Sequence, residues 1–203
     1  MYTGGIVLKL YVIRHGESEA NAAQRFAGWS QVALTEKGEK QAVKTGELLK
    51  NITFDRIFSS DQYRAKQTAE RVFPGRSYTE DWRLREINVG EKLQDRLRTD
   101  CIAEYGEGVI DVMKTHDFIP FGGENAARHL ERVSGFMDEL AQFPDDSKIA
   151  VVCHAGTICC MLSYVLKAFV SHGSVISDNA GVTVFERQDG VWKLHKWSET
   201  GEV

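Results

Sequence analysis

The sequence predicts an α/β fold: a three-layer sandwich with a mainly parallel central sheet, helices on both faces, an antiparallel edge and a small inserted cap. Three observations carry that prediction. Short β-branched and aromatic runs stop abruptly at polar tips and alternate with stretches of helical period, the pattern of strands joined through crossover helices. Near the C-terminus two apolar runs flank Asp189-Gly190, a turn pair suited to a hairpin, so the last strands should be antiparallel. Residues 88–121 hold helical candidates but no place in the sheet, which makes them the natural cap insertion over a site.

Taken in order, Leu8-Lys9-Leu10-Tyr11-Val12-Ile13 reads as a buried strand stopping at Arg14-His15-Gly16. Thr35 is the expected N-cap of a helix over 36–50, with Ala42, Val43, Gly46, Leu48 and Leu49 as its apolar stripe. Arg56-Ile57-Phe58-Ser59-Ser60 is a short strand, followed by a helix over 62–72. Residues 124–143 carry Ala127, Leu130, Val133, Phe136, Met137 and Leu140 at helical spacing, closed by Pro144. Ile149-Ala150-Val151-Val152-Cys153 repeats the first strand's pattern and ends in His154-Ala155-Gly156, leading into a more thoroughly buried helix over 156–170. Val182-Thr183-Val184-Phe185 and Val191-Trp192-Lys193-Leu194 form the hairpin. Two strands thus each deliver a histidine at the carboxyl end, where sheets of this class bind ligands.

Composition narrows the function classes. A chain of 203 residues, 42% hydrophobic and 27% charged, fits one domain spanning 1–203, with enough core to need no disulfides. A net charge of −4 without a Lys/Arg run argues against nucleic-acid binding. Cys101, Cys153, Cys159 and Cys160 lack framework or C-x-x-C spacing and read as reduced thiols of a cytoplasmic protein. Residues 1–8 lack a signal-peptide pattern. Residues 151–170 have the length of a bilayer span but include His154, Gly156, Thr157, Ser163 and Lys167, so a strand, turn and helix explain them better than a membrane does.

The candidate chemistry lies at the strand ends. Arg14-His15-Gly16-Glu17 sets a cation beside an imidazole, and Ser18-Glu19-Ala20-Asn21 offers hydroxyl, amide and N–H donors that favour an anion. Alone, such a triplet is a solvated turn as readily as a site. Arg64, one turn into the helix after Ser59-Ser60, would ordinarily be a surface residue. If its strand lies in the same sheet, its fork meets Arg14 at one edge, and two guanidiniums converge only where an anion such as phosphate belongs. Glu86, beside Arg83 and Arg85, reads as a surface pair or a site carboxyl, and His154 as a core histidine or a ligand contact.

These residues together resemble the histidine phosphatase superfamily, which includes the phosphoglycerate mutases. The resemblance lies in Arg14-His15-Gly16-Glu17-Ser18-Glu19-x-Asn21, Gly28-Trp29, Leu34-Thr35-x-x-Gly38-x-x-Gln41-Ala42, and Ser59-Ser60 with Arg64-Ala65-x-Gln67-Thr68-Ala69. It continues through Leu84-Arg85-Glu86-Ile87, Gly122-Gly123-Glu124, His154-Ala155-Gly156 and Asn179-Ala180, covering nearly the whole chain. It implies a His15 nucleophile forming a phosphohistidine, Arg14, Arg64 and His154 around the phosphoryl group, and Glu86 as proton donor. Arg14, Asn21, Gly28, Arg64, His154 and Ala155 would bind substrate. No metal and no cofactor are implied, in keeping with the scatter of His116, His129, His172 and His195.

The chemistry then makes two demands. The nucleophile needs a neutral ring nitrogen, with an acceptor fixing its other nitrogen. Glu86 must be protonated when the ester binds, a form that the phosphate dianion favours. Departures from the family pattern are Gln31 where Asp is frequent, Asn125 where Ser is common, and Lys92-Leu93-Gln94 after Gly90-Glu91. The short insertion and brief tail favour a phosphomonoesterase acting on a small phosphorylated metabolite. Phosphoglycerate mutase-type transfer is the alternative, and a non-catalytic phospholigand-binding protein is third. Trp29, Phe26, Arg83, Lys92, Arg96 and Arg98 are candidates for the pocket mouth, and the hairpin edge for a homodimer contact.

Overall fold

The computed structural model describes residues 6–171 and 174–200. The expectations that touch residues 1–5, His172 and the last three residues of the tail lie outside the described residues. Six strands form one sheet: β1 (Leu8–Arg14), β2 (Arg56–Ser59), β3 (Thr79–Glu80), β4 (Lys148–Cys153), β5 (Val182–Gln188) and β6 (Val191–Glu199). Their spatial order is β3-β2-β4-β1-β5-β6. β1, β4, β2 and β3 run parallel, and β5 and β6 complete an antiparallel edge.

Period-two alternation splits the core into two layers. Leu8, Leu10 and Val12 of β1 and Ile149, Val151 and Cys153 of β4 pack with Val133, Phe136, Met137, Leu140, Ile158, Met161 and Leu162 on one face. Those residues belong to α6 (Ala126–Leu140) and α7 (Ala155–Leu166). Ile13, Ala150 and Val152 point the other way, into Ala42, Leu49, Ala65, Ala69 and Val72. These come from α2 (Glu36–Leu49) and α3 (Tyr63–Val72). The span-length stretch 151–170 is therefore the end of β4 followed by α7, and no helix among the described residues is long and apolar enough to cross a membrane.

Thr35 does cap α2, its hydroxyl accepting from Gly38 N–H. The buried face of α2 differs from the expected stripe: Gly38, Ala42, Thr45 and Leu49 face inward, whereas Val43 and Leu48 are about half exposed. The i, i+4, i+7, i+11 row fixes that face, and two apolar residues fall outside it. Gly38 explains the tight seat of the β1 loop. A Cβ there would stand 2.0 Å from Glu17 O, and one on Gly16 would stand 2.3 Å from Gly38 O. α6 begins two residues later than predicted, capped by Asn125, and Ala127 is exposed. The hairpin turn has positive φ at both Asp189 and Gly190, as a two-residue type I′ turn requires.

Residues 88–121 form a cap with a core of its own. α4 (Arg98–Tyr105) and α5 (Glu107–Thr115) gather Phe26, Ile87, Val89, Leu93, Cys101, Val109, Val112, Phe118 and Phe121. One further turn of helix, α1 (Glu19–Ala22), follows the β1 loop.

Candidate active site

The carboxyl ends of β1 and β4 and the start of α3 converge beneath the cap on a cavity of about 240 Å³. Its wall brings together Arg14, His15, Asn21, Gly28, Arg64, Glu86 and Ala155 from the expected set. His154 is fully buried and lies behind that wall, its ring centroid 5.1 Å from that of His15.

His15 is held in one state. Its Nδ1 lies 2.7 Å from Gly16 O, an acceptor, so that nitrogen carries the proton. Nε2 is then the lone-pair nitrogen, and it accepts from Arg64 Nε at 3.3 Å. Burial pushes the imidazole well below its ordinary range, and the Arg64 and Arg14 guanidiniums add to the effect. The ring is neutral at physiological pH. Asn179 Nδ2 and Ala180 N–H both donate to His15 O, and His15 N–H donates to Cys153 O, so the backbone beneath the ring is pinned from β4 and from the turn before β5.

Arg64 is almost wholly buried, its guanidinium donating to Ser30 O and Gly28 O at 3.0 Å each. None of these acceptors carries a full charge, and burial lowers its pKa to about 10. Arg14 donates to Ser177 O while its Nε is buried without a partner. His154 Nε2 meets Ser60 Oγ at 2.9 Å, and its Nδ1 is likewise buried and unpartnered. A preformed edge of buried guanidiniums, in the field of Glu86 but with no carboxylate ion-paired to them among the described residues, stabilises an incoming anion.

Glu86 follows the helical turn Trp82–Leu84 and is positioned by its neighbours rather than by a regular element. Its carboxylate accepts from Ile87 N–H at 2.8 Å and Gly156 N–H at 3.1 Å. A Cβ on Gly156 would come within 2.2 Å of Glu86 Oε1, so only glycine allows that approach. Arg132, buried on α6, donates to Arg83 O, Arg85 O and Glu86 O and pairs with Glu124, clamping the segment from behind. The fully buried Gln62 joins the two halves: its Oε1 accepts from Glu86 N–H and Arg64, and its Nε2 donates to Gly28 O.

Two expectations change in detail. The Ser18 hydroxyl accepts from Asn21 N–H, and Asn21 Oδ1 accepts from Ser18 N–H. This capping box takes up the Ser18 hydroxyl and Asn21 Oδ1, and leaves Asn21 in the cavity wall. Gly28 serves the site through its carbonyl, which holds Arg64 and Gln62. Of the candidates for the pocket mouth, Phe26 and Arg98 stand in the wall. Arg83 is bound to Asp81 and Glu139, Arg96 to Glu104, and Trp29 sits behind Glu86 with its Nε1 on Glu86 O.

Sequence reasoning missed Gln62, Arg132, Arg25, Met113, His116 and Phe118. A polar residue inside a helix or an unpatterned insertion carries no local signal of what it faces. Among the described residues, no three His, Cys, Asp or Glu side chains are grouped as metal ligands would be.

Comparison with known proteins bears on this geometry. The family model of the histidine phosphatase superfamily (branch 1) matches residues 10–200. The probable phosphoglycerate mutase GpmB of Salmonella paratyphi A is 31% identical over 197 residues, covering 94% of this chain and 90% of that protein. Among solved structures, the mycobacterial glucosyl-3-phosphoglycerate phosphatase superposes with a TM-score of 0.83 at 26% identity, covering 95% of this chain and 99% of that one. The alpha-ribazole phosphatase of Shigella flexneri gives 0.85 at 24% identity, over 94% and 96% of the two chains.

Proposed function

The chain belongs to the histidine phosphatase superfamily, branch 1, and from that premise we propose that it is a phosphomonoesterase. It hydrolyses a small phosphate ester without a metal, through a phosphohistidine on His15 with Glu86 as proton donor. The observation that carries this reading is the state of His15: a neutral ring with its proton committed to Gly16 O and its lone pair at Nε2 beside Arg64.

In the first step the Nε2 lone pair attacks phosphorus, the P–O bond to the alcohol breaks, and Glu86 gives its proton to the leaving oxygen. In the second, Glu86 takes a proton from water as the water oxygen attacks phosphorus and the P–N bond breaks. Inorganic phosphate leaves, and both groups return to their starting state. The transition state is loose and its charge spreads over the equatorial oxygens, so Arg14 and Arg64 act by position and field. The glucosyl-3-phosphoglycerate phosphatase relative was solved with VO3, and that name supports a phosphatase reading here. Four free thiols, three of them buried, support the cytoplasm as the location.

The test is p-nitrophenyl phosphate with EDTA present. Release by the wild type and its loss in His15→Ala are expected. No release by the wild type, or equal release by the variant, overturns the proposal. The mutase-named relative keeps a second reading open. Conversion of 3-phosphoglycerate to 2-phosphoglycerate in the presence of 2,3-bisphosphoglycerate, faster than phosphate release, would favour it.

A further inference from the structure

Arg14 Nε and His154 Nδ1 are both buried without a hydrogen-bond partner among the described residues, and both belong to residues beside His15. A guanidinium nitrogen is always a donor. An imidazole nitrogen is a donor or an acceptor, and which of these His154 Nδ1 is depends on what the other ring nitrogen does.

That other nitrogen meets Ser60. His154 Nε2 lies 2.9 Å from Ser60 Oγ, and both residues are fully buried. A serine hydroxyl has one proton to give and two lone pairs. Gln62 N–H donates to Ser60 Oγ at 3.3 Å and occupies one lone pair. His154 Nε2 is the one other hydrogen-bond partner of that hydroxyl among the described residues, so it is the acceptor left for the Ser60 proton. Nε2 is then the lone-pair nitrogen, and Nδ1 carries the ring proton. The opposite arrangement would bury the Ser60 proton without an acceptor and the Nδ1 lone pair without a donor, two unsatisfied groups instead of one.

Ser60 is itself held in place. Its N–H donates to Val152 O of β4, and its carbonyl accepts from Ser59 Oγ. Burial, with Arg64 and His15 adding to it, pushes the His154 imidazole well below its ordinary range, so the ring is neutral.

We propose that Ser60 is a positioning residue of the reaction: its hydroxyl fixes His154 as the Nδ1–H tautomer, and His154 meets the phosphoryl group as a neutral N–H donor rather than as an imidazolium. The proposal rests on the phosphomonoesterase reading for the identity of the anion. The ring centroids of His154 and His15 are 5.1 Å apart, which sets that donor beside the nucleophile. Arg14 and Arg64 already place two positive charges there, and a third buried cation would add its own desolvation cost without a counter-charge. A neutral N–H avoids that cost and still offers the phosphoryl oxygens a preorganised dipole.

The experiment reads the tautomer directly. Long-range proton–nitrogen correlation spectra of protein carrying isotopically labelled histidine distinguish a protonated ring nitrogen from a bare one, and the signals lost in His154→Asn assign that residue. At neutral pH, wild-type His154 should show a protonated Nδ1 and a bare Nε2, and should keep them when inorganic phosphate is added. In Ser60→Ala this single tautomer should give way to a mixture. His15, whose proton Gly16 O holds, should keep its own tautomer in both proteins and so reports an intact site.

On p-nitrophenyl phosphate, Ser60→Ala should lower kcat/KM about 10- to 100-fold, somewhat less than the loss of a whole preorganised donor. Ser60→Thr, which keeps the hydroxyl, should recover most of that loss. His154→Asn puts an amide N–H near the place of Nδ1 without needing Ser60, so adding Ser60→Ala to it should change kcat/KM by less than about twofold. A protonated Nε2 in the wild type, an imidazolium with or without phosphate, or an unchanged tautomer in Ser60→Ala overturns the proposal. So do equal losses from Ser60→Ala with and without His154→Asn, a comparison that decides even where Ser60→Thr does not fold. The predicted tautomers in a protein that hydrolyses no ester would leave the Ser60–His154 assignment standing and remove the phosphatase reading. Turnover with the opposite tautomer would do the reverse.

Discussion

At the scale of single residues, Gly156 decides where Glu86 can sit. Its missing Cβ leaves room for Oε1, and its N–H holds Oε2. Gly156→Ala should displace the carboxyl and cost about 10²-fold or more in kcat, the range of general acid catalysis. Glu86→Gln should hurt alkyl esters far more than p-nitrophenyl phosphate, whose leaving group needs little protonation. Steady-state rates on both esters check each variant, and equal losses would count against Glu86 as the acid. His15 was legible because a histidine at a strand's carboxyl end is a local pattern. Gln62 was not, because its role lies in joining Arg64 to the Glu86 backbone, more than twenty residues apart in sequence.

Elements show why the departures from the family pattern are tolerated. Asn125 caps α6, its side chain accepting from Arg128 N–H, a task that serine performs equally well. Asn125→Ser should leave the urea midpoint nearly unchanged, and Asn125→Ala should cost about 1 kcal/mol. Gln31 accepts from Tyr63 N–H and so supplies α3 with the cap bond that Gln62, turned inward, does not make. In the stretch Lys92-Leu93-Gln94, Leu93 is buried in the cap core and Gln94 accepts from Trp29 N–H. The five longer strands, the hairpin and the helix order were legible because burial on a sheet imposes period two and on a helix period 3.6. The inward face of α2, the two-residue strand β3 and the packing of the cap helices were not. In α2 a glycine and a threonine take core positions, and the cap buries its residues against Phe26, Ile87 and Val89 from distant segments.

Over the whole molecule, the net charge of −4 describes the surface, while the pocket gathers four guanidiniums. Burial also keeps three histidines neutral: His15 and His154 are pushed well below 6.5, and His129 down to about 4. Below pH 6.5 their unfolded counterparts take up protons that the native groups refuse. The stability they contribute is therefore full above 6.5 and is lost as pH falls toward the native values. At pH 5 His129 alone costs about 2 kcal/mol, and His15 and His154 add to the loss in the same direction. Urea unfolding at pH 7.5 and pH 5 should show that fall, and His129→Gln should remove about 2 kcal/mol of it. A stability independent of pH over that range would contradict the burial of neutral imidazoles.

The most direct test of the central claim is to trap the phosphoenzyme by quenching turnover into alkali, in which phosphohistidine survives, and to map the modified peptide by mass spectrometry. A single phosphoryl group on His15, attached at Nε2 and absent from His15→Ala, is the predicted result. Phosphate on another residue, or undiminished turnover by His15→Ala, would contradict it.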